Sequence, residues 1–291
     1  MRAAKGRCVP VDAVPPMGET GGMPESQEDR GPVGPRPDAP RGAWRLVRGS
    51  VFLGLAWLLL GVVLTGLTLF ALLTFRIGVR AYFHHIARFC TRMVLRVAGV
   101  EVRVVNPERL ARRRTRLVAF NHASQLDLFV CGSLMPPHGT PVVKRELLWV
   151  PFLGLAFVAF KVVIVDRSDL GRAKRSLAEA ARRLREERAT VFITPEGTRS
   201  RDGHLGPFKM GLFHLAAEAH APIIPAVLRG ARECQPMGTI IPHPGVVEVE
   251  LLPEISTDDF GPDNLREKRD ELRALYLRVL GEGEGGRGAC Q

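Results

Sequence analysis

Cysteine is scarce and scattered in this sequence. Five cysteines occur among 291 residues, and no two of them lie close together in the chain: Cys8, Cys90, Cys131, Cys234 and Cys290. This distribution excludes a disulfide framework and a cysteine-based zinc site, and it is typical of a protein in a reducing compartment. Aromatic residues are also sparse, at 7% of the chain. With no recognition module in the sequence, this scarcity argues against nucleic acid as a partner.

Acidic residues are outnumbered by basic ones. The chain has 30 Asp and Glu against 41 Lys and Arg, which gives a formal net charge of +11 at pH 7. Such an excess of positive charge favours an acidic partner: a nucleic acid, an anionic lipid or a phosphorylated substrate. Because nucleic acid is disfavoured, we expect the partner to be an anionic lipid or a phosphorylated substrate.

Both ends of the chain are poor in large apolar side chains. Residues 1–43 are rich in proline and glycine, as in "VGPRPDAPRGA", and the last residues read "GEGEGGRGACQ". Segments of this composition bury too little surface to offset the entropy cost of ordering the chain. We therefore predict a disordered tail over residues 1–43 and a flexible tail over residues 281–291.

Charge is absent from residues 51–75, "VFLGLAWLLLGVVLTGLTLFALLTF". A helix of this length crosses a hydrocarbon core of about 30 Å. The alternative is a buried helix of a soluble protein. We predict a transmembrane or membrane-anchoring helix over residues 44–76. Because arginines flank the run on both sides, the sequence says little about its orientation.

The next segment, "RAYFHHIARFCTRMVLRVAG", mixes bulky apolar residues with arginines at helical spacing. Arg80, Arg88, Arg92 and Arg96 form one basic stripe. This pattern predicts a basic amphipathic helix over residues 77–99 that lies on an anionic membrane surface. The alternative is a core helix with a solvated arginine face.

From about residue 100 the pattern is that of an α/β domain, which we place at residues 100–280. Short apolar runs predict buried strands at 116–120, 141–144, 161–165, 190–194 and 223–228. Between the third and fourth of them, residues 168–188 carry apolar side chains at helical spacing, which is typical of a βαβ unit in a parallel sheet. Residues 246–252 alternate and predict an edge strand, and 263–280 predict a closing helix. The fold class is α/β, with a mixed, largely parallel sheet flanked by helices.

Polar side chains follow two of the predicted strands. The segment "NHASQLD" follows the strand 116–120, and in it His122 precedes Asp127 by five residues. A carboxylate that binds one imidazole nitrogen leaves the other free to act as a base. A polar turn without chemistry, or a pair of metal ligands, fits the same residues. Ser124 is a candidate nucleophile, although a turn or capping role is commoner for such a serine.

The second cluster, "TPEGTRSRDG", follows the strand 190–194. It offers a carboxylate, a glycine, a hydroxyl and a guanidinium in sequence: Glu196, Gly197, Thr198 and Arg199. Glycine exposes backbone N–H groups to an anion, and arginine binds phosphate through two parallel hydrogen bonds. Arg167 and Lys209 add positive charge nearby in the chain. An ordinary polar loop has a similar composition.

Together the two clusters resemble the NHx4D and EGTRS motifs of the glycerophospholipid acyltransferases, and in particular of the 1-acyl-sn-glycerol-3-phosphate acyltransferases. The segments "KRELLWVPFLG", "VVIVDR" and "APIIPAV" are similar to further blocks of that family and occur in the same order. The resemblance covers residues 80–255. It implies a glycerolipid acyltransferase-like fold.

The resemblance also implies a reaction: acyl transfer from acyl-CoA or acyl-carrier protein to the sn-2 hydroxyl of 1-acyl-sn-glycerol-3-phosphate, which gives phosphatidic acid for phospholipid biosynthesis. His122 is then the base and Asp127 orients it. The remaining motif residues fall into two groups. The acceptor's phosphate is expected to be bound by Glu196, Gly197, Thr198, Arg199, Arg167 and Lys209. The motifs are expected to be shaped by Asn121, Ser124, Pro195, Pro222 and Pro225.

No metal ion and no cofactor beyond the acyl donor is implied. The implied partners are membrane lipids, the lysophospholipid acceptor and the donor. The implied location is a membrane, the cell inner membrane, with the catalytic domain in the cytoplasm. Two alternatives stay open. In the first alternative, the chain acylates another lysolipid, with a different head group or an amino acid. In the second, it is a lipid-binding membrane protein without catalysis.

Overall fold

The computed structural model describes residues 8–13, 32–36, 47, 49–51, 54, 58, 61–62, 65–66, 69, 79–110, 114–136, 138–150, 154, 157–158, 162–165, 170–200, 203–239 and 241–282. Arg167 and most of the apolar run at 51–75 lie outside these residues. The same holds for most of the two predicted tails.

Nine strands form one mixed sheet in this part of the chain. They are β1 (Cys8–Pro10), β2 (Gly34–Pro35), β3 (Val100–Val105), β4 (Arg116–Phe120), β5 (Gly139–Lys144), β6 (Val163–Val165), β7 (Thr190–Ile193), β8 (Ile223–Arg229) and β9 (Gly245–Leu251). Their order is β1-β3-β9-β8-β4-β7-β5-β6, and β2 pairs with β9. The strands from β8 to β6 run parallel, as do β3 and β9, whereas β8 and β9 are antiparallel.

Six α-helices accompany the sheet among the described residues: α1 (Val79–Ala98), α2 (Leu126–Ser133), α3 (Leu170–Glu187), α4 (Gly211–Ala219), α5 (Ala231–Cys234) and α6 (Leu265–Leu280). Short 3₁₀ helices occupy Val11–Ala13, Pro107–Leu110 and Arg145–Trp149. Glycine in the left-handed conformation ends α6 at Gly281, where φ is 75°.

The hydrophobic core has two layers, one on each face of the sheet. In β4, Val118 and Phe120 belong to the layer that contains α1 and α2, while Leu117 and Ala119 belong to the layer that contains α3, α4 and α6. Successive side chains of a strand point to opposite faces, so a strand covered on both faces is apolar throughout. All five residues of β4 are buried for this reason.

The α/β fold class with a central sheet between helices is therefore confirmed, and the predicted strands at 116–120, 141–144, 161–165, 190–194 and 223–228 correspond to β4, β5, β6, β7 and β8. The predicted edge position of residues 246–252 is wrong, because β9 lies between β3 and β8. Glu248 and Glu250 gave the segment its polar alternation. Arg229 of the neighbouring β8 pairs with both of them, at 3.1 and 2.8 Å, so their charge is matched inside the sheet and does not mark an edge.

The prediction of a disordered tail is wrong for residues 8–13 and 32–36. β1 pairs antiparallel with β3, and β2 pairs with β9. Val9 and Val11 are buried in the core layer of α1. These short segments are ordered because the sheet supplies hydrogen-bond partners and an apolar surface that the segments themselves lack.

The basic stripe of α1 contacts the chain itself. Arg88 is buried, and this burial, together with the nearby Arg92, lowers the pKa of its guanidinium to about 10. Arg92 donates a hydrogen bond to the Val11 carbonyl at 2.6 Å, and Arg96 pairs with Asp12 at 2.9 Å. The prediction that this stripe lies on a membrane is therefore wrong for Arg88 and Arg92, since a side chain that is buried or bonded internally is not offered to lipid. The side chain of Arg80 lies outside the described residues.

The membrane-anchoring helix stays a prediction. The described positions of the apolar run are helical, and Leu58, Val62 and Leu69 each expose more than half of their surface. No helix in the part of the chain described by the structure combines the length and hydropathy needed to cross a membrane.

Candidate active site

The first polar cluster forms the turn between β4 and α2. Nδ1 of His122 lies 2.8 Å from Oδ2 of Asp127, a residue with no exposed surface. The same carboxylate oxygen accepts the backbone N–H groups of Ala123 and Ser124, each at 2.8 Å. Since this oxygen acts as an acceptor, a neutral imidazole in this contact carries its proton on Nδ1, which leaves the lone pair of Nε2 free. This is the tautomer that a general base requires.

Two other residues of the turn attach it to the neighbouring strand and helix. The Asn121 amide donates to the Leu228 carbonyl at 3.0 Å and accepts the Leu228 N–H at 2.8 Å. The Ser124 hydroxyl donates to the Gln235 carbonyl at 3.0 Å and accepts the Leu126 N–H at 3.2 Å. Because both side chains are buried and use their polar atoms within the protein, they shape the turn. A nucleophilic Ser124 does not fit these contacts.

Glu196 of the second cluster holds the backbone of the first. One of its carboxylate oxygens accepts the His122 N–H at 2.9 Å, and the other accepts the Gly206 N–H at 2.9 Å. The Ser200 N–H donates to the His122 carbonyl, also at 2.9 Å. Both polar groups of the His122 backbone are therefore bound by the turn that follows β7.

The environment of Glu196 argues against its predicted contact with a phosphate. The side chain is only 4% exposed, and burial raises its pKa, although the two N–H donors act in the opposite direction. Both oxygens already accept a hydrogen bond, and a carboxylate repels a phosphate. These contacts favour a positioning role instead, in which Glu196 holds the backbone of His122.

Comparison with known proteins supports the family resemblance of the two motifs. The family model described as "Acyltransferase" matches residues 101–229, which contain both clusters. The chain is 34% identical to the human 1-acyl-sn-glycerol-3-phosphate acyltransferase alpha over 192 residues, which is 65% of this chain and 68% of that protein. It is 30% identical to the 1-acyl-sn-glycerol-3-phosphate acyltransferase of Salmonella typhimurium over 184 residues, which is 63% of this chain and 74% of that protein.

This chain belongs to the glycerophospholipid acyltransferase family. A relative from Limnanthes douglasii, also named 1-acyl-sn-glycerol-3-phosphate acyltransferase, is 35% identical over 188 residues, 65% of this chain, and the chain spans 66% of the length of that protein. The crystal structure of the Thermotoga maritima acyltransferase PlsC shares the fold, with a TM-score of 0.68 at 21% identity. That match covers 83% of this chain and 98% of the Thermotoga chain.

The rest of the second motif lies near His122. Gly197 has a φ of 71°, which favours glycine, and Thr198 is exposed. Arg199 is half-buried and lines a groove of about 110 Å³ together with Ala123, Ser124 and the segment 235–239. Lys209 is exposed and does not line this groove, although its N–H donates to the Pro195 carbonyl at 2.7 Å.

Two motif prolines lie just before β8 and in its first half, at positions where no N–H donor is needed. The Pro222 carbonyl accepts the Leu117 N–H at 2.9 Å just before β8 begins, and the Pro225 carbonyl accepts the Leu252 N–H at 2.8 Å. The antiparallel pairing of β8 with β9 begins only at Ala226. Proline, which has no N–H, is tolerated at such a position inside a sheet.

A second and larger cleft, of about 240 Å³, contains His122 itself. Its walls include Glu196, the segment 203–205 and the turn from β8 into α5. Arg229 and Arg232 in that turn were not among the predicted site residues. A signal was present, since "LRGARE" follows a strand in the same way as the two recognised motifs, but arginines after a strand are common and the family motifs end before them.

Proposed function

We propose that this acyltransferase transfers an acyl group from a thioester donor, acyl-CoA or acyl-carrier protein, to the sn-2 hydroxyl of 1-acyl-sn-glycerol-3-phosphate, which gives phosphatidic acid. The observation that carries the proposal is the His122–Asp127 pair, at 2.8 Å, in the wall of a cleft. Relatives that bear the name of this activity are 30–35% identical to this chain over 184–192 residues, and the acyltransferase family model matches the region that contains both motifs.

The proposed step needs only the side chains of the protein. Nε2 of His122 takes the proton of the sn-2 hydroxyl while the hydroxyl oxygen attacks the thioester carbonyl carbon. A C–O bond forms, the C–S bond breaks, and the imidazolium returns the proton to the departing thiolate. Asp127 stabilises the imidazolium, because its carboxylate lies against Nδ1. The route uses no metal ion, no cofactor and no acyl-enzyme.

Glu196 and Ser200 act on this step through the backbone of His122. A base must lie within hydrogen-bond reach of the proton that it removes, and an error of about 1 Å is costly. The N–H and carbonyl of His122 are each held at 2.9 Å, so the imidazole is carried by a fixed peptide. His122 is therefore positioned by two segments that are far apart in sequence. Asp127, in its own turn, binds the ring, and the turn of Glu196 and Ser200 binds the backbone.

Arg199 is the proposed anchor for the acceptor's phosphate. It lines a groove that shares Ala123 with the cleft of His122, so a phosphate there lies near the base. Gly197 and Thr198 precede it in the same turn and complete the phosphate site, with Arg167 and Lys209 as further sources of positive charge. Holding the phosphate presents the neighbouring hydroxyl to His122, which is catalysis by positioning.

The proposed location is a membrane surface. We place the protein at the cell inner membrane, with the active site on the cytoplasmic side. Bulky apolar side chains are exposed on the catalytic domain and on the helix before it, among them Phe89 of α1 at 59%, Leu128 of α2 at 57% and Trp149 at 87%. Leu128 directly follows Asp127 in the chain. Such side chains are suited to insertion between lipid head groups, where an acyl chain enters and leaves.

A panel of acceptors tests the proposed reaction. Membranes that contain the protein are given radiolabelled acyl-CoA, or acyl-carrier protein, with 1-acyl-sn-glycerol-3-phosphate, lysophosphatidylcholine or 1-acylglycerol. We expect the phosphate monoester to give the highest kcat/KM, about tenfold or more above the acylglycerol, since a charged hydrogen bond contributes about 1.5–3 kcal/mol. A higher value for another lysolipid would establish the alternative acceptor class. Absence of transfer to every acceptor would leave a lipid-binding protein without catalysis.

A further inference from the structure

We propose that Arg232 forms an anion subsite in the cleft of His122 and binds a phosphate group of one of the two substrates. The proposal deepens the proposed acyl transfer and rests on it. Arg232 is the second residue of α5, and the cleft that it lines is the one that contains His122. Neither the sequence motifs nor the groove of Arg199 includes it.

The guanidinium of Arg232 occupies a defined place in the cleft wall. Gly230, with a φ of 83°, turns the chain from β8 into α5 and so directs Arg232 to the edge of the sheet where β4 and β7 also end. The guanidinium lies directly against Gly203, which has a φ of 92°. A side chain at position 203 would overlap the guanidinium, so the absence of one there makes room for it.

The charge of Arg232 is unmatched within the described chain. Its Nη1 atom is buried and has no hydrogen-bond partner among the described residues. A buried donor of this kind is costly to leave unpaired, and a charged ligand that accepts from it removes that cost.

Several other charged groups of the cleft, unlike Arg232, already have partners within the protein. Arg229 pairs with Glu248 and Glu250, Asp127 binds His122, and Glu196 accepts two backbone N–H groups. Glu282 accepts the Leu205 N–H at 2.8 Å. Within the described residues, Nη1 of Arg232 is not paired with a carboxylate. It is therefore available to donate a hydrogen bond to an anion that enters the cleft.

Phosphate is the anion that fits this site and this reaction. The planar guanidinium binds phosphate oxygens through parallel hydrogen bonds. Both proposed substrates carry phosphate: a monoester on the acceptor, and the pyrophosphate and 3′-phosphate on the CoA donor. Ala123 lines both the groove of Arg199 and the cleft of Arg232, so the chain offers two cationic positions for two phosphate-bearing substrates.

Steady-state kinetics of Arg232→Gln and Arg232→Lys test the subsite, with Arg182→Gln as the matched control. Arg182 lies on α3 and pairs with Glu179 and Glu186 at the surface. We expect Arg232→Gln to raise the KM of one substrate about tenfold or more, with kcat changed less than about threefold. Arg232→Lys keeps the charge and should lose less, and the control should match the wild type.

The substrate whose KM rises identifies the source of the phosphate. A raised acceptor KM assigns the monoester. A raised KM for acyl-CoA that is absent with acyl-dephospho-CoA assigns the 3′-phosphate, and one that persists with it assigns the pyrophosphate. Unchanged KM values for both substrates, or an equal loss in both Arg232 variants together with a lowered Tm, would overturn the proposal.

A binding measurement separates failure of the subsite from failure of the proposed reaction. Inorganic phosphate and pyrophosphate are titrated against the full-length wild type and Arg232→Gln in detergent, and the rise in Tm is recorded, since a ligand of the folded state stabilises it. We expect a rise that is at least halved by the substitution. An equal rise in both proteins would contradict the subsite whether or not acyl transfer is observed.

Discussion

At the scale of single residues, the proposed base, His122, is held by contacts of its backbone as well as of its ring. Asp127 fixes the imidazole, and Glu196 and Ser200 fix the peptide that carries it. The pairing of His122 with Asp127 was predictable from the sequence, because residues five apart in a turn meet locally. The contact of Glu196 with the His122 backbone was not predictable, because it spans 74 residues and involves no side chain of His122.

Substitution Glu196→Gln distinguishes positioning from phosphate binding. The amide retains one acceptor oxygen but turns an NH₂ group toward the other backbone N–H. We expect the free energy of unfolding to fall by about 1.5–3 kcal/mol, the value of a charged hydrogen bond, and kcat to fall while the acceptor KM changes less than about threefold. Urea unfolding and steady-state kinetics measure the two effects.

Glu179→Gln is the matched control for this substitution. Glu179 pairs with Arg182 at the surface of α3, so its replacement should leave stability and kinetics close to the wild type. If Glu196→Gln raised the acceptor KM and left stability unchanged, Glu196 would bind the phosphate as the motif first suggested.

At the scale of elements, buried strands and long helices follow from local pattern, whereas strand position does not. After Arg116, β4 reads as a continuous apolar run because both of its faces are covered. β9 alternates like an edge strand but lies inside the sheet. Its acidic residues, Glu248 and Glu250, are tolerated there because Arg229 of the neighbouring strand pairs with both. β1 and β2 are two or three residues long and have no pattern of their own, so only the sheet that they join defines them.

The exposed apolar side chains of the catalytic domain predict contact with lipid. A variant that keeps Trp149 as its sole tryptophan (Trp44→Phe, Trp57→Phe) is mixed with vesicles of anionic and zwitterionic phospholipid. Because Trp149 is 87% exposed and its ring favours the interface, we expect brominated lipid to quench its fluorescence. The same variant in detergent, without brominated lipid, is the control. Quenching by aqueous iodide alone, with none by brominated lipid, would place Trp149 in water.

At the scale of the whole molecule, the order of the strands creates the active site. β4 lies between β7 and β8, and the three strands are parallel, so the segments that follow them meet at one edge. These segments supply His122, Glu196 and Arg232. The sequence indicated that polar clusters follow strands, but it carried no signal for which strands are neighbours, since that depends on pairing across long separations.

The global charge also has a clearer meaning in the structure. The sequence pattern attributed the arginines of α1 to a membrane surface, yet Arg88 is buried and Arg92 bonds to residues 11–12. Part of the positive charge therefore serves the fold. Another part lies at the sheet edge that carries the candidate active site, where Arg199 lines the groove and Arg232 lines the cleft of His122.

The most direct test of the account is the rate of acyl transfer by His122→Ala with 1-acyl-sn-glycerol-3-phosphate and acyl-CoA. Loss of a general base costs about 10²- to 10⁴-fold in rate, and we predict a fall in kcat of that size. His214→Ala, an exposed histidine on α4, is the control and should keep the wild-type rate. A Tm close to that of the wild type would show that the variant is folded. A wild-type kcat in folded His122→Ala would contradict the mechanism.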